Sequence, residues 1–294
     1  MPERGGVGGP SGPPRPADVA AAAQLACVLE VSAEKPGNIT PSHDFGDTTY
    51  EDMVRSAIAL GPEVGRAGER GVGATVLAMV RASRAASRAN TNLGIALLLA
   101  PLARAALSGA EGEGLRSRLA AVLAGLDLED ARAAYEAIRL AGAGGLGERP
   151  EQDVRDEPTV GLREAMADAA PRDGVAGEYA SDFAVTFEAG VPALARALED
   201  GLGPRDAVVE LFLVLLGAYP DTLIARKEGE RQAAEVSARA ARVLAAGGPR
   251  SEAGRRGLAE LAGALRDPRN RLNPGTTADL VAATLFVALL EGRL

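Results

Sequence analysis

Lysine occurs only twice in this chain, against thirty arginines, and both copies stand in short polar segments: Glu34-Lys35-Pro36-Gly37-Asn38 and Ala225-Arg226-Lys227-Glu228-Gly229. The single histidine, His43, follows Lys35 by eight residues. The five asparagines, Asn38, Asn90, Asn92, Asn270 and Asn273, all fall in predicted loops or helix starts. A chain built so heavily on Ala, Gly, Arg and Leu uses Arg wherever any cation will serve. Lysine is a compact point charge and arginine a wide planar fork, so a lysine kept against that bias points to a tight anion contact. Asparagine offers both a donor and an acceptor and tolerates turn backbone.

Four polar clusters interrupt an otherwise plain apolar pattern. The first runs from Glu30 to Asp47 and holds Ser32, Lys35, Asn38, His43, Asp44 and Asp47. Carboxylates three apart in a loop suit a hard cation such as Mg²⁺, which takes oxygen ligands and shares them with phosphates. An adjacent lysine and glycine-rich backbone suit a polyphosphate. The second, Asn90-Thr91-Asn92-Leu93-Gly94, stands directly before an apolar helix. It reads equally as ordinary N-capping or as a helix start aimed at an anion. The third is Pro220-Asp221-Thr222 through Arg226-Lys227-Glu228-Gly229. Asp221, Arg226 and Lys227 cannot all share one helix face, which favours a turn there. The fourth, Asn273-Pro274-Gly275-Thr276-Thr277-Ala278-Asp279-Leu280, enters the last helix. Its Gly-Thr start is suited to an anion, and Asp279 reads as a dipole partner in the first turn.

The elements that must position these clusters are helices. Hydrophobic residues make up 47% of the chain but aromatics only 3%, a composition of closely packed Ala- and Leu-rich helices. A first helix is predicted from about Asp18 to Val31, with Lys35-Pro36-Gly37 stopping the chain after it. A second runs from Thr49 to Leu60, after which the periodicity predicts helices at 72–88, 92–108, 114–125, 128–141, 159–170, 176–199, 204–218, 229–246, 252–265 and 276–291. No alternating strand run appears, and Val208–Leu216 reads as buried helix by its length and Leu content. The expectation is all-α: a single multi-helix domain of about ten to twelve packed helices over 18–294, behind a disordered Gly/Pro-rich tail over 1–17. The stretch from Gly142 to Pro158 is expected to be a long surface connection.

Composition also excludes. A net charge of −8 with no long basic run argues against an extended nucleic-acid surface. One cysteine, Cys27, and one histidine leave no internal disulfide, zinc cluster or Cys-His pair. There is no Walker lysine motif, and Gly68, Gly71 and Gly73 follow no predicted strand. The longest apolar run, Ile95 to Leu102, falls far short of the roughly 20 residues of a membrane span. The first sixteen residues carry no apolar secretory core, so the expected location is cytoplasmic, with no membrane partner.

Taken in order, the clusters resemble the triphosphoribosyl-dephospho-CoA synthase family. The resemblance rests on Glu30-Val31-Ser32, Lys35-Pro36-Gly37, His43-Asp44, Asn90-Thr91-Asn92-Leu93-Gly94, Asp221 to Gly229, and Asn273 to Leu280. It covers the chain from about Ala20 onward. Where lyase-associated members carry His-Lys after Asn-Thr, this chain has Asn92-Leu93. That feature and the segment Asp221–Lys227 look like the divergent branch found in archaea and some other microbes.

The resemblance implies an all-helical transferase that moves a triphosphoribosyl unit from ATP to the 2′-hydroxyl of dephospho-CoA, or a related acceptor, and releases adenine. It also implies a Mg²⁺-nucleotide site. On that footing Glu30, Asn90 and Asn92 are expected to be catalytic, with Glu30 as general base or oxocarbenium stabiliser. Lys35, Asn38, Arg226, Lys227, Gly275 and Thr276 are expected to hold nucleotide or phosphate, and Asp44 and Asp47 the metal. The rival expectations are a related enzyme making another phosphoribosyl- or pterin-type cofactor precursor, and a nucleotide-binding helical protein without catalysis. Whether the chain forms a homodimer is left open.

Overall fold

The computed structural model describes residues 14–87, 92–109, 112–142 and 153–294. Among them stand fourteen α-helices and no strand. These are α1 (Pro16–Ser32), α2 (Tyr50–Gly65), α3 (Val72–Ala86), α4 (Leu93–Leu107), α5 (Leu115–Ala124), α6 (Leu128–Ala141) and α7 (Leu162–Ala169). They continue with α8 (Gly174–Ala180), α9 (Val191–Glu199), α10 (Pro204–Ala218), α11 (Thr222–Glu228), α12 (Glu230–Ala245), α13 (Glu252–Leu265) and α14 (Gly275–Leu290).

The helices start where local chemistry satisfies their free amides. Pro16 occupies the first turn of α1, where a missing N–H costs nothing, so that helix begins two residues before the position predicted for it. Thr49 and Asp52 form a reciprocal capping box on α2, and Asp127 and Asp130 form one on α6. Residues 1–13, most of the predicted tail, lie outside the described residues.

α4 and α14 form the centre. Their apolar residues are buried almost all the way round, from Ile95 to Ala106 and from Leu280 to Ala288, as expected of helices enclosed by others. α14 packs against α1, α4, α8, α9, α10 and α11, so its N-terminal end faces several chain segments at once. α2 and α3 extend the α1 side, and α12 and α13 extend the α10 side. No single helix among the described residues is long and apolar enough to cross a membrane. α10 and α11 pass that test only as a pair bent by 54°, and Leu211 to Leu216 of α10 are mostly buried in the core.

Two expectations are corrected. The predicted helix at 176–199 is broken: α8 stops at Ala180, Asp182 and Phe183 take left-handed backbone with φ of 51° and 58°, and a π-helical turn from Val185 to Gly190 leads into α9. The fully buried Glu178 carboxylate accepts from the amides of Val185 (2.9 Å) and Thr186 (3.0 Å) and from the Thr186 hydroxyl, which fixes the break. Burial pushes this carboxyl above its usual range, while those hydrogen bonds pull it back. The segment after Asp221, read as a turn, is the short helix α11. With the division at 181–190, it raises the helix number above the ten to twelve expected.

Candidate functional site

The end of α1 turns back on its own side chains. Lys35 is 2% exposed and places Nζ 3.0 Å from Glu30 Oε1, itself on a residue 3% exposed. The same ammonium donates to the carbonyls of Glu30 and Ala33, the latter at 3.4 Å. Those carbonyls lie at the C-terminal end of a helix, where a cation is favourable. The Lys35 charge is thus directed at Glu30 and the end of α1. Ser32 adds a 2.9 Å hydroxyl contact with Tyr50 of α2.

Pro36-Gly37 carries the chain from there to the start of α14. Gly37 has φ of 80°, and a β-carbon on it would lie 2.8 Å from Pro274 Cδ, so both conformation and space call for glycine. Asn38 then donates from Nδ2 to Asn273 Oδ1 at 2.8 Å and to the Pro274 carbonyl at 3.3 Å. The backbone carbonyl fixes which way the amide points. Asn38 Oδ1 is left buried with no hydrogen-bond partner. Beyond it, Glu34 accepts from Thr40 (2.7 Å) and Ser42 (2.6 Å), and Thr40 pairs with His43 through two 3.0 Å backbone bonds. Asp44 accepts from the Tyr50 amide at 2.7 Å and Asp47 from the Thr48 hydroxyl at 3.1 Å, with both residues exposed.

Asp221 joins two helix starts. Its Oδ1 accepts from the amides of Leu223 (2.9 Å) and Ile224 (3.1 Å), capping α11. Its Oδ2 accepts from the Thr277 amide and hydroxyl, each at 2.8 Å, so the same carboxylate caps α14. Burial pushes the Asp221 carboxyl above its usual range, against the pull of those donors. Thr276 Oγ1 meets Thr222 Oγ1 at 3.0 Å, and Thr222 Oγ1 accepts from the Gly174 amide at 3.0 Å, which brings α8 to the same place. Gly275 opens α14 beneath Leu223. Arg226 pairs with Asp173, which also caps α8 through the Ala176 amide at 3.1 Å. Lys227 donates to the Asn270 carbonyl at 3.1 Å. Its ammonium is lowered chiefly by burial, while Asp221, Asp267 and Asp47 pull it back up.

Asp279, one turn further along α14, has no hydrogen-bond partner among the described residues. Its carboxylate sits against Gly94 at the start of α4, where a β-carbon would come within 2.0 Å of Oδ2. Part of the residue is open to solvent, yet the carboxyl is closely ringed by protein. Burial, then Glu30, Asp221 and Asp173, push it well above the usual carboxylate range, with Arg226 opposing. Asn92 occupies the N-cap position of α4 without making a capping bond. It is 4% exposed, and its Nδ2 is buried with no partner. Asn90 and Thr91 lie outside the described residues.

The structure therefore gathers Glu30, Lys35, Asn38, Asn92, Arg226, Lys227, Gly275 and Thr276 around the start of α14 and the segments packed on it. Asp44 and Asp47 stand on the exposed loop at its edge. Among the described residues no group of three or more His, Cys, Asp or Glu is arranged to hold a metal ion. Sequence reasoning missed Asp173; its only local signal is the Asp-Gly step that starts α8. It also read Asp279 as a dipole partner, although the carboxylate that meets the first-turn amide of Thr277 is Asp221. A cleft of about 360 Å³ is lined by Glu34, Lys35 and Thr40 together with Arg255 and Arg266. Another, of about 410 Å³, lies away from these residues between Arg104, Arg118 and Asp130.

This is the architecture of an all-helical domain with its polar chemistry collected at the mouth of a central helix. A profile of the family described as CitG, ATP:dephospho-CoA triphosphoribosyl transferase, matches residues 16–294, and the chain belongs to that family. Relatives named for 2-(5''-triphosphoribosyl)-3'-dephosphocoenzyme-A synthase include one from Stutzerimonas stutzeri, 36% identical over 105 residues, which is 36% of each chain. One from Pseudomonas aeruginosa (strain UCBPP-PA14) is 34% identical over 45% of this chain and 46% of its own. One from Azotobacter vinelandii is 31% identical over 57% of this chain and 56% of its own. The matched stretches thus span from about a third to a little over half of these relatives. A crystal structure from Archaeoglobus fulgidus, described as a candidate triphosphoribosyl-dephospho-coA synthase, superposes with a TM-score of 0.62 at 29% identity. The superposition covers 81% of this chain and 99% of that one.

Proposed function

We propose that this chain transfers the triphosphoribosyl unit of ATP to the 2′-hydroxyl of dephospho-CoA, or of a closely related acceptor, and releases adenine. The observation that carries the reading is the packing of α1, α4 and α14 on one another, with Glu30 near the end of α1, Asn92 at the start of α4, and the Asp279 carboxylate of α14 against Gly94. Displacing adenine from C1′ develops positive charge on the ribose, and the Glu30 carboxylate held at that point stabilises it more in the transition state than in the ground state. Glu30, aimed by Lys35, is the base for the acceptor hydroxyl, which makes Lys35 a positioning residue as well as a local source of positive charge. Asn92 Nδ2 supplies a donor, and Asn38 Oδ1 an acceptor, for polar groups of the substrates. Asn90, from the same segment as Asn92, is assigned with it to substrate orientation.

The triphosphate is assigned to Arg226, Lys227 and the Gly275-Thr276 start of α14, facing the Lys35–Asp47 loop. Asp44 and Asp47 offer two exposed carboxylates, with no softer ligand in the loop beyond His43, which fits Mg²⁺ that completes its shell with water and phosphate oxygens. When bound, Mg²⁺ supplies charge neutralisation of the triphosphate. The Asn92-Leu93 pair favours a second reading at one point only: the same donor chemistry with an acceptor other than dephospho-CoA.

The test is incubation with ATP, Mg²⁺ and dephospho-CoA, with free adenine and the triphosphoribosylated product followed by mass spectrometry. Adenine that appears only when a small-molecule cell extract replaces dephospho-CoA selects the second reading. ATP binding with no adenine under either condition makes the chain a nucleotide-binding protein and ends the transferase reading.

A further inference from the structure

We propose that Asp279 is the catalytic acid that protonates adenine as it leaves C1′. The proposal rests on the transferase reading above and gives a catalytic role to a residue that the sequence marked only as a dipole partner.

The argument starts from what each carboxylate around α14 is already doing. Glu30 holds the Lys35 ammonium at 3.0 Å. Asp221 accepts four hydrogen bonds from two helix starts. Asp173 is held by Arg226 and by the Ala176 amide. Each of the three is bound to groups that hold it as an acceptor. Asp279 alone of the four makes no hydrogen bond and no ion pair among the described residues, and its carboxyl is pushed well above the usual range.

The groups that face it make the same point. Glu30 and Cys27 come from α1, Asp221 and Arg226 from the segment of α11, and Asp173 from the residue before α8. Three of these are acids, and the only cation, Arg226, is already engaged by Asp173. Opposite stands Gly94, and a side chain there would occupy the position of the Asp279 carboxylate. The glycine keeps the start of α4 close and clears a place for the carboxyl beside Asn92. Burial and the like charges of Glu30, Asp221 and Asp173 push the Asp279 carboxyl well above the usual carboxylate range, the direction a group that must donate a proton requires.

The step balances. As the C1′–N9 bond breaks, its electron pair moves into the purine and the Asp279 proton passes to a ring nitrogen, so adenine departs neutral. The acceptor hydroxyl oxygen forms the new bond to C1′, and its proton passes to Glu30. Return of that proton from Glu30 to Asp279 restores the starting state, leaving no net proton gain or loss.

The test compares Asp279→Asn with the parent on two donors, ATP and 7-methyl-ATP, whose base already carries a positive charge and leaves without needing a proton. With ATP the variant should lose about 100-fold or more of its adenine release, the usual scale for removing a general acid. With 7-methyl-ATP its rate of base release should stay within a few-fold of the parent. Nucleotide affinity by calorimetry should be unchanged. In the parent, the rate with ATP should fall as pH rises through the Asp279 titration, while the rate with 7-methyl-ATP stays level; this arm requires no variant. Equal losses on both donors, no loss on ATP, or the same pH profile for both donors would overturn the proposal. A parent that releases adenine from ATP under no acceptor condition would overturn the transferase reading, and the assignment of Asp279 with it.

Discussion

Replacing Lys35 with methionine separates two roles that one lysine can have, and the structure sets the size of the effect. Met keeps the length of the stem and its apolar packing but removes the ammonium that Glu30 faces at 3.0 Å. The side chain of Lys35 is fully buried and that of Glu30 is 4% exposed, so the variant leaves a carboxylate out of water with no counter-charge. Breaking one side of such a pair costs about 3–5 kcal/mol. Loss of the contacts to the carbonyls at the end of α1 adds up to about 1 kcal/mol. In a chain of this size the sum amounts to a melting-temperature drop on the order of 10 °C.

The assay is urea denaturation followed by circular dichroism, run as a cycle with Glu30→Gln and the double variant. The double variant should recover at least about 2 kcal/mol of the summed single losses, because it removes both buried charges together. Lys35→Arg should also destabilise, since the planar fork does not fit a site closed around a point charge. If Lys35→Met costs less than about 1 kcal/mol while nucleotide affinity falls sharply, the lysine serves phosphate directly and the pairing argument is wrong.

Three further outcomes are expected. Asp44→Asn/Asp47→Asn should keep the melting temperature and lose Mg²⁺-dependent nucleotide binding in calorimetry; unchanged binding would make both acids loop caps. Gly94→Ala should cost about 1–3 kcal/mol from overpacking against Asp279, and Asp279→Ala in the same chain should relieve that loss in a thermal melt. Asp279→Asn should raise the melting temperature at neutral pH. The folded-state carboxyl titrates well above its unfolded value, so its ionisation opposes folding as pH rises through that window; the gain should vanish as pH falls towards about 4, and a gain independent of pH would exclude this cause.

The fold was legible wherever a helix is set by its own sequence. The bounds at 128–141, 204–218 and 252–265 match because Asp127, Pro204 and Ser251 mark starts that local chemistry completes. The helix expected at 176–199 failed because its break depends on Glu178 reaching forward to Val185 and Thr186 while Phe183 buries itself in the core. The periodicity of the stretch carries no trace of that contact. α11 was missed for a related reason. A seven-residue helix offers too few positions for a face to show, and its start is fixed by Asp221, which also serves α14.

The same distinction separates the parts of the site that could be read from those that could not. Glu30 and Lys35 are five residues apart, so their shared neighbourhood follows from the turn after α1, although which way the lysine points does not. Asp279 shows the limit more sharply. From sequence, an acid this near a helix start is ordinarily explained by the free amides there, although α14 begins early enough to leave Asp279 beyond its first turn. Here the Thr277 amide of α14 is taken by Asp221, from a segment more than fifty residues earlier. Once that carboxylate occupies the helix start, Asp279 is no longer needed there, and it is left among Glu30, Asp221 and Asp173 with Gly94 making room for it. A motif names the residues a site contains. Only the contacts made by its neighbours show which of two identical carboxylates is fixed as an acceptor and which is left without a donor.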